Sequence, residues 1–219
     1  MAAFRTHMTV GLIVGYIASA WVVMTQWIVT PFTPFGLFLA VCIGSLLPDI
    51  DSDHSKPFSI IFGCLSMIGG SVVFFYFLQH HIISWMYWIA IPPLTALIIR
   101  YGLGKLFQKY TVHRGIFHSI PALGIATLAT PLVLASFRLA SQDVIAISLG
   151  VGLGFLSHLI LDELYSTIDF EGHRIKPKKS LGTALAFTGP SKKVTLAAYL
   201  LLAALIVYNR WLLLDIFGR

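Results

Sequence analysis

Residues 143–165 read DVIAISLGVGLGFLSHLILDELY, and this stretch decides the fold class. A helix crosses the roughly 30 Å hydrocarbon core of a bilayer with about 20 predominantly apolar residues. The run from Val144 to Leu164 has that length and contains only five strongly polar positions, Ser148, Ser157, His158, Asp162 and Glu163. Gly150, Gly152 and Gly154 resemble a phosphate loop on paper. No strand precedes them, and close packing of neighbouring membrane helices explains them better. His158 and Asp162 stand at i and i+4, a spacing that stacks both side chains on one helix face about one turn apart. Ionisable groups inside a membrane helix are costly and are functional candidates by default.

Working outward, further apolar segments lie at about 8–29, 34–48, 58–79, 82–99, 115–137 and 194–217. The second is short for a full span, and the third and fourth are separated only by Gln79, His80 and His81. The expectation is an all-α, polytopic transmembrane helical bundle of about five to seven helices. Composition agrees: 57% of the 219 residues are hydrophobic and 11% charged, with a mean hydropathy of +0.84. Soluble domains average about 45–50% apolar and about 25% charged residues, so the excess must face lipid. Residues 1–219 are read as a single integral membrane domain, with a basic cytoplasmic loop at about 166–193.

The formal charge of +6 comes from 15 Lys and Arg against nine Asp and Glu. Loop topology accounts for it, and no nucleic-acid partner is expected. With seven helices and a cytoplasmic N-terminus, all basic residues except Arg138, Arg210 and Arg219 fall in cytoplasmic segments, as the positive-inside rule requires. The reading is therefore an integral protein of a bacterial inner membrane. The apolar run after Arg5 continues past Met24 without a small-residue cleavage signature, so it reads as a retained first helix. Cys42 and Cys64 lie inside apolar runs, which fits neither a disulfide framework nor a thiolate metal site. The basic loop, with Lys178, Lys179, Lys192 and Lys193 foremost, is a candidate for anionic lipid headgroups; topology control is its plainer reading.

This topology sends His7, Asp49, Asp51, Asp53, His54, His113, His118, His158 and Asp162 to the cytoplasmic ends of helices. His80 and His81 map to the opposite face, and His173 lies in the loop. His158 and Asp162 have metal-pair geometry, although the same pair also serves as packing glue between helices. In Leu47-Pro48-Asp49-Ile50-Asp51-Ser52-Asp53-His54, an extended backbone would point Asp49 and Asp51 the same way towards a cation. A solvated helix-capping turn is the alternative. His113-Arg114-Gly115-Ile116-Phe117-His118-Ser119 opens the fifth segment. A regular helix would hold its two imidazoles about 140° apart, so both reach one ion only across a loop-to-helix junction at Gly115. Headgroup-facing histidines are the competing reading. His7 is placed just before the first apolar run and is the least specific of the set.

Taken in order, His7, LPDID at 47–51, HRGIFHS at 113–119 and SHLILDELY at 157–165 resemble the YdjM-like family of predicted membrane-bound, metal-dependent hydrolases. The resemblance covers about residues 5–165. It implies metal-ligand roles for His7, Asp49, Asp51, His113, His118, His158 and Asp162. Phe117 stands where the family usually has a small residue, and the acidic stretch runs on into Asp53 and His54. A weaker likeness in ligand pattern, to zinc-dependent phospholipase C and the single-strand-specific zinc nucleases, points to phosphoester hydrolysis.

The expectation is one or two divalent transition-metal ions, zinc first and manganese or iron as alternatives. Asp51 or Asp162 would orient or deprotonate a metal-activated water. Arg114 would pair with a substrate phosphate oxygen or act simply as an interfacial cation. A membrane lipid or lipid-linked ester is the expected substrate. Two other classes compete, a cation-binding transporter or structural membrane protein without catalysis, and a di-iron lipid oxidase or desaturase, for which clustered histidines are too few.

Overall fold

A computed structural model describes residues 3–27, 30–51, 56–80, 84–106, 116–137, 139–169, 174–175 and 185–211. Among these residues the chain forms seven α-helices: α1 (Phe4–Met24), α2 (Thr33–Gly44), α3 (Lys56–Gln79), α4 (Trp85–Leu97), α5 (Ile120–Leu134), α6 (Ser141–Thr167) and α7 (Lys192–Tyr208). Among the described residues the only pairing of named strands is a two-residue antiparallel ladder, Ile168–Asp169 against Arg174–Ile175. The all-α helical bundle expected from the apolar runs is therefore what forms.

Among the described residues, four helices are long and apolar enough to cross a membrane: Phe4–Met24, Lys56–Gln79, Trp85–Leu106 and Ser141–Ser166. The third reaches its length because α4 continues through a π-helical turn, Ile98–Leu103. Inside α4, Pro92 and Pro93 cannot donate backbone hydrogen bonds, a loss that membrane helices accommodate through local adjustments of this kind. Helix α2, with 12 residues, rises only about 18 Å. The expected segment 34–48 thus ends early, and Pro48 restricts the backbone of the residue before it. Helix α1 begins earlier than its apolar run, so His7 is a helical residue and not a flank.

The chain divides into two compact units, one of Met1–Pro48 and Arg114–Arg219, the other of Asp49–His113. The second consists of α3 packed on α4, joined by hydrogen bonds from the Arg100 guanidinium to the backbone and hydroxyl oxygens of Ser59. In the first, α6 is the hub and packs against α2, α5 and α1, while α7 packs on α5. Its most apolar window is 61% buried, against 22% for α1, so α6 is the helix shielded by protein.

The glycines of α6 explain how α2 and α5 come so close. A Cβ at Gly154 would overlap the Val41 carbonyl oxygen, one at Gly150 would strike Leu37, and one at Gly152 would strike Thr127. The α2 side matches, since a Cβ at Gly44 would overlap the Val151 carbonyl. Backbone meets backbone there, the small-residue packing used where lipid offers no hydrophobic driving force between helices. At the other end of the same pair, the Thr33 hydroxyl donates to the buried carboxylate of Asp143 at 2.6 Å.

Candidate metal centre

Four ends of the first unit's helices converge on one cluster. His7 lies near the start of α1, His158 and Asp162 in the last turns of α6, and His118 directly before α5. Helix α5 starts where it does because extended Ser119 caps it, its hydroxyl accepting from the Ala122 N–H at 3.3 Å. His118 is consequently held in a bend outside any helix. Ser45, the residue after α2, adds a backbone carbonyl to the cluster.

His7 Nε2 lies 3.2 Å from Asp162 Oδ1. His158 Nε2 and His118 Nε2 lie 3.7 and 3.9 Å from Asp162 Oδ2. The His7 and His158 rings stack at 3.7 Å between centroids, 10° from parallel, and His118 meets His158 edge-on at 5.6 Å. Relative exposures are 2% for His7 and His118, 0% for His158 and 3% for Asp162. Polar groups so deeply buried need compensating partners. The Nδ1 of His7 has no hydrogen-bond partner among the described residues.

The donor chemistry suits a cation. His158 Nδ1 lies 2.8 Å from the Ser45 carbonyl oxygen, and only a protonated Nδ1 can bond to a carbonyl. In the neutral ring Nε2 then keeps its lone pair and turns it towards the carboxylate. A backbone carbonyl holding the far nitrogen of a histidine is the usual outer support of a metal ligand. Two donors each about 2.0–2.1 Å from one tetrahedral ion stand about 3.4 Å apart. The three imidazole-to-carboxylate separations of 3.2, 3.7 and 3.9 Å bracket that value, and one ligand atom each from His7, His158 and Asp162 lies within 4.8 Å of the others.

Within the first unit, four of the expected site residues are thus brought together: His7, His118, His158 and Asp162. Asp49 is half-buried in a 3-10 turn, Pro48–Asp51, at the start of the second unit. That backbone is not extended, so the alternation argument for aiming Asp49 and Asp51 together does not apply. The side chain of Asp51 lies outside the described residues, as do Asp53, His54, His113 and Arg114 in full. The motif reading missed Ser45, because a carbonyl that orients a histidine leaves no mark in the sequence. It also missed Gly11, where an added Cβ would meet the Ser45 side chain.

The model of the YdjM inner membrane protein family matches residues 1–214. Neither a curated protein nor a solved structure matches the chain.

Proposed function

The chain belongs to the YdjM inner membrane protein family, and from that premise we propose that it is a metal-dependent hydrolase whose ion is held by His7, His118, His158 and Asp162. The observation that carries this reading is the Ser45 carbonyl fixing His158 Nδ1 at 2.8 Å, which leaves Nε2 as a donor facing Asp162. Three imidazoles and one carboxylate favour a transition metal, zinc first and manganese or iron next, over magnesium or calcium. When bound, such an ion supplies Lewis-acid polarisation and water activation near neutral pH.

The chain's own groups divide the remaining work. His7 and His158 stack, so each fixes the other's ring plane. Asp162 presents Oδ1 to His7 and Oδ2 to His118 and His158, and in this reading it orients the attacking water. Asp51 is a second candidate for that role and Arg114 for binding a phosphate oxygen, both on the strength of the motifs. The likeness in ligand pattern to the zinc-dependent phospholipases suggests a phosphoester, and donors at helix ends suit one carried on a membrane lipid or lipid-linked molecule. In this reading the cluster faces the cytoplasm and the basic loop meets anionic headgroups.

One observation favours a second reading. All four donors are at most 3% exposed, and closed sites are typical of structural metals, whereas catalytic ones keep a position open. A cation-binding protein without catalysis fits that burial.

Metal analysis of detergent-purified protein, wild type beside His158→Ala and Asp162→Ala, tests the proposal together with a turnover screen on phosphodiesters and phospholipid vesicles. Stoichiometric metal in the wild type, lost in both variants and accompanied by turnover, supports the hydrolase. Metal without turnover selects the second reading. Folded, metal-free wild type after metal-replete purification overturns both.

A further inference from the structure

Of the four gathered donors, three ride on helices and one does not. His7 is part of α1, and His158 and Asp162 are part of α6, whereas His118 sits in the bend between Ile116 and Ser119. A side chain on irregular backbone is placed only as well as that backbone is supported. The Ser119 hydroxyl donates to the Ile116 carbonyl across the bend, and further support comes from the C-terminal end of the basic loop. Ala186 pairs with Ser119 in a parallel bridge, and the Ile120 N–H donates to the Ala186 carbonyl at 2.9 Å. Gly189 closes on the other flank, where a Cβ would stand 3.2 Å from Ile116 N.

This strap is itself fastened to α7. The Gly189 N–H donates to Thr195 Oγ1 at 3.0 Å, and the Tyr199 hydroxyl donates to the Phe187 carbonyl at 2.9 Å. Helix α7 is in turn tied to α5 at its far end, where the amide of the fully buried Asn209 donates to the Leu128 carbonyl at 2.8 Å. We propose that residues 185–190, backed by α7, are a positioning strap that sets His118 for metal binding. The inference rests on the metal-centre reading above and assigns the last helix and the end of the basic loop a role in it. The strap's atoms act through the backbone on either side of His118, so Ala186 and Gly189 are positioning residues and not ligands.

Ile120→Pro tests this with little collateral change. It removes the N–H that donates to the Ala186 carbonyl. Position 120 opens α5, where proline is well tolerated, and Ser119 at φ −152° and ψ 161° has the extended conformation that precedes a proline. The probe is cobalt(II) added to the full chain in detergent, read by its visible ligand-field absorption and by titration. His118→Ala is expected to alter the spectrum. Ile120→Pro should reproduce that alteration with roughly 10–100-fold weaker binding, the usual effect of losing an outer support, while Ile120→Val keeps the wild-type spectrum.

Combining Ile120→Pro with His118→Ala should add no further loss, since both act through one side chain. A wild-type spectrum and affinity for Ile120→Pro, or a loss that adds fully to that of His118→Ala, overturns the strap while leaving the metal centre standing. Wild type that takes up no cobalt overturns the centre and the strap together. If Ile120→Pro does not fold, Gly189→Ala, which presses on Ile116, replaces it with the same outcomes.

Discussion

Gly11→Ala is expected to weaken metal binding although residue 11 carries no donor atom. A Cβ there would lie 2.9 Å from the Ser45 Cβ and would also overlap its hydroxyl, whereas ordinary contact begins at 3.4 Å. Rotating the hydroxyl away relieves only part of this, because the Cβ is fixed to the backbone. Helices α1 and α2 must separate by about half an ångström. If α2 yields, the Ser45 carbonyl retreats from His158 Nδ1, and a bond of 2.8 Å stretches towards the limit of about 3.2 Å. If α1 yields, it carries away His7, one turn before Gly11 and 3.2 Å from Asp162. Either response spoils one ligand, so the affinity loss should be about 10–100-fold. Helix propensity alone points the other way, since Ala is favoured over Gly by about 1 kcal/mol in a helix interior. Competition titration with zinc on the purified chain, with thermal unfolding alongside, separates the two. Gly11→Ala combined with Ser45→Gly removes both clashing atoms and should recover most of the affinity. Wild-type affinity in a folded Gly11→Ala protein would refute the reasoning.

Asp162→Asn keeps the size of the side chain and removes its charge; metal content after dialysis should fall to background while circular dichroism stays helical. Thr33→Val strips the hydroxyl that reaches buried Asp143 at 2.6 Å, which should cost about 1–3 kcal/mol in unfolding experiments. Because that pair sits at the opposite end of α2 and α6 from His158, zinc affinity should not change. Chelation should lower the unfolding temperature of wild type reversibly, as loss of a ligand present at 100 times its Kd removes about 2.7 kcal/mol. The same chelator should leave His158→Ala unmoved.

The helices were legible because lipid imposes a simple rule, about 20 apolar residues per crossing. The apolar runs located the seven helices of the described residues, within the expected five to seven, but misjudged their ends, which depend on groups that hydropathy does not weigh. Ser119 caps α5 and so leaves His118 outside it. Phe4 starts α1 before the apolar run does, and that brings His7 into helical register with Gly11. The i, i+4 pair of His158 and Asp162 was readable from a single helix. Its union with His7, more than 150 positions away, was readable only through topology, since helices that alternate in direction bring their ends to common levels. The Ser45 carbonyl and the strap through Ala186 act by backbone atoms, which every residue type possesses, and no sequence pattern could have marked them.

The spacing of the cluster bears on whether these groups merely glue helices together. Mutual hydrogen bonding among three imidazoles and a carboxylate requires separations near 2.7–3.2 Å. His7 to Asp162 at 3.2 Å reaches the edge of that range, while His158 and His118 stand 3.7 and 3.9 Å from the same carboxylate. His158 has also already committed its Nδ1 proton to Ser45, so it could donate a second hydrogen bond to Asp162 only as a cation, with the His7 ring stacked 3.7 Å away. An ion between the donors would meet neither difficulty. It would accept lone pairs from the rings, hold its ligands further apart than hydrogen bonds do, and offset the charge of the buried carboxylate. Packing glue would instead draw His158 and His118 inward by at least about half an ångström, a contraction that the Ser45 carbonyl on one side and the Ala186 bridge on the other are placed to resist.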